Sequence, residues 1–84
     1  MDYKGTDFPQ YRKLSNEKAY YRITGARHWD EIQIIGTKAL RHSVQAQQYP
    51  EILRIQDMLN LAGGFYLLST ASEFEEVMAA YQLE

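Results

Sequence analysis

The spacing of apolar positions changes several times along the chain, and each change marks an element. Tyr11-Arg12-Lys13-Leu14-Ser15 and Ala19-Tyr20-Tyr21-Arg22-Ile23-Thr24 are rich in strand formers, with the turn-like Asn16-Glu17 between them. This stretch reads as a β-hairpin. Further on, Leu40, His42, Val44 and Ala46 alternate with Arg41, Ser43, Gln45 and Gln47, the period of a half-buried strand. Pro50 suits a first helical turn, and Ile52, Ile55, Met58 and Leu59 then form an apolar stripe. Asn60 and Gly63-Gly64 end that helix; a strand over 52–56 is the rival reading. Phe65-Tyr66-Leu67-Leu68 is a short apolar strand. Thr70-Ala71-Ser72-Glu73 then spells a capping box, and Phe74, Val77, Met78 and Tyr81 recur along one helical face.

The segment from Ala26 to Ile35 fits two periods. Ile32-Gln33-Ile34 alternates as a strand does, whereas Trp29, Ile32 and Ile35 recur at helical spacing. Residues 20–35 also echo residues 65–80, with identities at Tyr21/Tyr66, Ala26/Ala71 and Glu31/Glu76. By analogy with the clearer second copy, Thr24 reads as a cap, Arg27–Ile35 as a helix and Gly36 as its left-handed stop. The element order becomes β-β-α-β-α-β-α. The expected fold is α+β: one small domain over residues 10–82, with a four-stranded, mostly antiparallel sheet. Its two to three helices are expected to share one face and leave the other open. Residues 1–9 read as a loose N-terminal arm, and Leu83-Glu84 is set aside as a cloning remnant.

Composition limits what such a domain can do. At 84 residues, 45% apolar and 24% charged, the chain is greasy enough to fold but too short for two cores. It has no cysteine, which removes disulfides, thiolate metal sites and a Cys nucleophile. No apolar run approaches the roughly 20 residues of a membrane span, and no signal peptide is evident, so the expected compartment is the cytosol. The net charge of −2 is unevenly laid out. Residues 1–42 carry eight Lys/Arg against five Asp/Glu, and residues 43–84 carry Arg54 against six acids. That polarity suits an oppositely polarised partner or self-association.

The candidate chemistry is correspondingly thin. If Leu14, Tyr21 and Ile23 face the core, the outer side of the hairpin carries Tyr11, Lys13, Lys18, Tyr20 and Arg22. Tyr and Arg are favoured at interface hot spots, so this row, or else an edge strand of the sheet, is the expected docking site for a protein partner or a second copy. The same cations beside flat rings suggest the alternative of weak single-stranded nucleic-acid binding. A small enzyme using His28 or His42 is the remaining alternative. In His28-Trp29-Asp30-Glu31, however, a helix would spread the side chains apart, and no nucleophile, base and orienting group share a workable spacing. Neither a cofactor nor a metal is expected.

Overall fold

The computed structural model describes residues 7–83. Four strands follow one another: β1 (Gln10–Leu14), β2 (Ala19–Gly25), β3 (His28–Ile35) and β4 (Lys38–Gln45). Helix α1 (Tyr49–Leu59), a 3₁₀ turn (Ala62–Gly64), strand β5 (Tyr66–Leu68) and helix α2 (Ala71–Ala80) complete the domain. All the strands join one sheet in the order β4-β3-β2-β1-β5, and every neighbouring pair is antiparallel. β4 and β5 therefore run in the same direction, and α1 carries the chain from one edge of the sheet to the other. The fold is α+β with an antiparallel sheet, as expected, but it has five strands and two helices.

The expected helix over Arg27–Ile35 is strand β3. Gly36-Thr37 is not a helix stop but a two-residue hairpin turn closed by the pair Ile35↔Lys38. Gly36 lies at φ 62°, the backbone that the first position of a type II′ turn requires. The helical spacing was misleading because β3 is covered on both sides. Trp29 packs on one face while Ile32 and Ile34 pack on the other, so the strand loses a simple alternation. The echo between residues 20–35 and 65–80 has no structural counterpart: the first stretch is strand-turn-strand, the second strand-then-helix.

The helices do not share a face. On the first face, Ile55 and Met58 of α1 pack against Ala19, Tyr21, Ile23, Trp29 and Ala46. On the second face, Phe74 and Met78 of α2 pack against Tyr20 and Ile32. The cause is visible in β2, where the neighbours Tyr20 and Tyr21 project to opposite sides and are both buried. Each such side chain gains about 1.5–3 kcal/mol when covered. One helix cannot cover both sides.

Helix starts and stops follow the sequence signals. The Thr70 hydroxyl accepts from the Glu73 amide at 3.1 Å, which is the first half of the expected capping box. The Glu73 carboxylate turns instead to the Ser69 hydroxyl and to Lys13. Gly63 and Gly64 both adopt positive φ as the chain leaves α1, and a Cβ on Gly63 would meet the Phe65 ring at 2.9 Å. Residues 1–6 of the expected arm, and Glu84, lie outside the described residues. Phe8 and Leu83 pack against the two cores, so both tie down the ends of the described chain. Among the described residues no helix is long and apolar enough to cross a membrane.

Candidate functional site

The Tyr/Lys/Arg row does assemble, but under α2. Register pairs Tyr11 with Arg22 and Lys13 with Tyr20, so these four side chains share the second face. α2 covers the β1–β2 part of that face, which corrects the expected architecture of helices on one side only. Tyr20 is only 7% exposed. Tyr11 meets the Phe74 ring edge-on at 5.8 Å, and the Arg22 guanidinium lies 5.0 Å above the same ring. Arg22 also donates twice to the buried Asp30 carboxylate, at 3.0 and 2.8 Å. Lys13 donates to Glu17 at 2.8 Å and to Glu73 at 3.0 Å. Lys18 stands exposed in the turn before β2. Two of the row's three cations, Lys13 and Arg22, are neutralised within the fold.

These partners set the titration of the second face. Burial disfavours the charged form of Asp30, but hydrogen bonds from Ser43 and Arg22 outweigh it and hold the carboxyl below its ordinary 3.8. Hydrogen bonds from Ser69 and Lys13 hold Glu73 below 4.5. Hydrogen bonds to Glu17 and Glu73 raise Lys13 above its ordinary value. Depressed carboxyls contribute stability that is complete above their unfolded values and vanishes as pH falls through the folded ones. The raised ammonium contributes stability that is complete below 10.5 and is lost above it. Urea midpoints should therefore begin to fall below pH 4.5 and fall less steeply in Asp30→Asn. A wild-type midpoint unchanged down to pH 3 would show that these pairs contribute nothing.

The first face holds a second buried carboxylate. Asp30 and Glu31 are neighbours on a strand and so point to opposite faces, not around a helical first turn. Glu31, 4% exposed, accepts from the Trp29 indole at 3.2 Å and lies 3.6 Å from Arg54. Arg54 spans the Tyr21 and Trp29 rings at 5.5 and 5.6 Å and donates to the Tyr21 hydroxyl at 3.1 Å. Each face thus buries one β3 carboxylate beneath an arginine stacked on aromatic rings. The period-2 spacing of Trp29, Asp30, Glu31 and Ile32 carried that signal, and the helical reading concealed it.

The histidines do not meet. His28 pairs with Gln45 and His42 with Glu31, which puts the two imidazoles on opposite faces. His28 Nδ1 hydrogen-bonds the Thr24 hydroxyl, and Asp30, on the same face, is engaged by Arg22 and Ser43. Among the described residues no group of three or more His, Asp or Glu side chains stands together to hold a metal ion. Open grooves of about 360 and 400 Å³ lie beside Leu14, Asp57 and Phe65, and beside Arg22, Glu75 and Met78. Neither brings a nucleophile to a base.

The edge of the sheet is different. The Ile34 amide donates to the Lys18 carbonyl, and the Ala46 amide donates to the Arg27 carbonyl. Even-numbered residues of β3 therefore bond toward β2, and even-numbered residues of β4 bond toward β3. The backbone N–H and C=O groups of Ala39, Arg41, Ser43 and Gln45 point away from the sheet. Among the described residues nothing pairs with them. β4 is eight residues long and six of its side chains are exposed. Leu40, 49% exposed, lies diagonal to the exposed Ile35 on the same face near the end of the hairpin. The opposite edge, β5, has three residues. Compared with known proteins, the chain matches no family model, no curated sequence and no solved structure.

Proposed function

We propose that this chain is a non-enzymatic interaction module that takes up an extended segment along β4, adding a strand to its sheet. One observation carries the reading: an eight-residue edge strand whose outward backbone groups have no partner among the described residues. Such an edge is a template for main-chain pairing, which supplies affinity, while the alternate side chains supply selectivity. Helices cover the central strands on both faces, and the β4 edge is where backbone groups are left to pair. No catalytic step is proposed, because no acid, base and nucleophile converge among the described residues.

Arg41→Pro isolates the edge. It removes an N–H that points outward, leaves the β3 ladder intact and sits where an edge strand tolerates proline. Peptides selected from a displayed random library on the full chain should be extended and apolar at alternate positions. They should lose affinity for Arg41→Pro while keeping it for Tyr20→Phe. Failure to select any peptide, or binding indifferent to Arg41→Pro, would overturn edge docking.

A further inference from the structure

Resting on that edge-docking reading, we infer that the segment β4 takes up is the β4 of a second copy of this chain, paired antiparallel about a two-fold axis at His42. A two-fold axis perpendicular to the sheet leaves every residue on its own face. Paired residues must then share a face, so the axis passes through a residue and not between two. Two centres overlap β4 most fully. An axis at Arg41 sets two guanidinium groups directly opposite each other, which destabilises a sheet. It also sets Leu40 against His42. An axis at His42 removes both conflicts: Arg41 lies opposite Ser43 of the second copy, and Leu40 lies opposite its Val44. Moving the axis on to Ser43 shortens the overlap.

The backbone agrees with the His42 register. Arg41 with Ser43, and Ala39 with Gln45, become hydrogen-bonded pairs, each exchanging two N–H···O=C bonds through groups that already point outward. Leu40 with Val44, and His42 with His42, fall at the intervening positions, where opposing Cα atoms come to about 4.5 Å and side chains are closest. Val44 already packs against the first-face core. The exposed Leu40 of each copy would cover that core's margin and extend it across the junction. The contact is isologous, with the same patch used twice, and so it closes at two copies. A single strand pair lies at the small end of specific interfaces, below about 1,200 Å², so dimerisation should depend on concentration.

The chain lacks cysteine, which allows a direct reading of register. His42→Cys places one thiol opposite its own copy at a separation within the 4.4–6.8 Å Cα range of a disulfide. Under mild oxidation His42→Cys should cross-link to twice the monomer's 9.8 kDa, whereas Arg41→Cys and Ser43→Cys should stay largely monomeric. Sedimentation of the wild-type chain should show the same doubling with rising concentration, and Arg41→Pro should abolish it. Preferential cross-linking of Arg41→Cys or Ser43→Cys would overturn the register. A wild-type chain that stays monomeric while selected peptides still need the β4 edge would overturn self-pairing alone. A dimer untouched by Arg41→Pro would overturn the edge itself.

Discussion

Phe74→Ala is expected to cost about 3–5 kcal/mol, the range for truncating a buried aromatic side chain. Phe74 is 1% exposed at the centre of the second face, touching Tyr20 and Ile32. Its ring also receives the edge of Tyr11 and the guanidinium of Arg22, so truncation loses those contacts together with the buried area. Domains of this kind hold on the order of 5–15 kcal/mol in total, so the variant should be partly unfolded at ambient temperature. The urea midpoint reads the loss directly. Leu68→Ala is the control: that side chain is 66% exposed, and its removal should change stability by no more than about 0.5 kcal/mol. If Phe74→Ala and Leu68→Ala unfold together, α2 does not seal the sheet.

Arg12→Met should destabilise by about 1.5–3 kcal/mol, the value of hydrogen bonds from a charged donor. Arg12 is 7% exposed, and among the described residues no carboxylate pairs with it. Its Nε donates to the Met58 carbonyl at 2.9 Å and one Nη to the Leu59 carbonyl at 3.4 Å. Those oxygens belong to the last turn of α1, which has no basic residue of its own to meet its negative end. β1 therefore supplies the cap for a helix far along the chain. Methionine keeps the apolar stem but removes the guanidinium donors, leaving the Met58 carbonyl, among the described residues, only the Leu61 amide at 3.3 Å. Arg12→Lys should not rescue, because one ammonium lacks the planar fork that reaches two carbonyls and the Tyr11 carbonyl as well. Thermal unfolding and amide exchange across Gln56–Leu59 measure the effect, and a wild-type midpoint in Arg12→Lys would show that the fork is unimportant.

Where one signal dominated, the sequence could be read directly. The β1–β2 hairpin, the alternating β4, the Pro50 helix and the Thr70-capped helix all lie close to where their residues place them. β3 was misread because its two faces bury different residues, and a strand sealed on both sides imitates helical spacing. That one error carried forward. A helix over Arg27–Ile35 spreads Asp30 and Glu31 apart to no common purpose, whereas on a strand they are the buried partners of Arg22 and Arg54. The misreading also supplied a spurious helix for one face, leaving the Tyr11, Lys13, Tyr20 and Arg22 row bare on paper. Local patterns place strands and helices, but the side on which a helix lands depends on how the chain crosses the sheet. An edge strand as a docking route follows from a small open sheet, but which strand forms it does not, because an edge is defined by strand order.

Because β4 has eight residues and β5 three, the two margins of the sheet are unequal and cannot substitute for each other. Were two molecules to join through the long margin, the enlarged sheet would end in a three-residue strand on both flanks. Too few backbone groups would remain there to recruit a third molecule, so growth would halt at a finite particle instead of running on into a fibre.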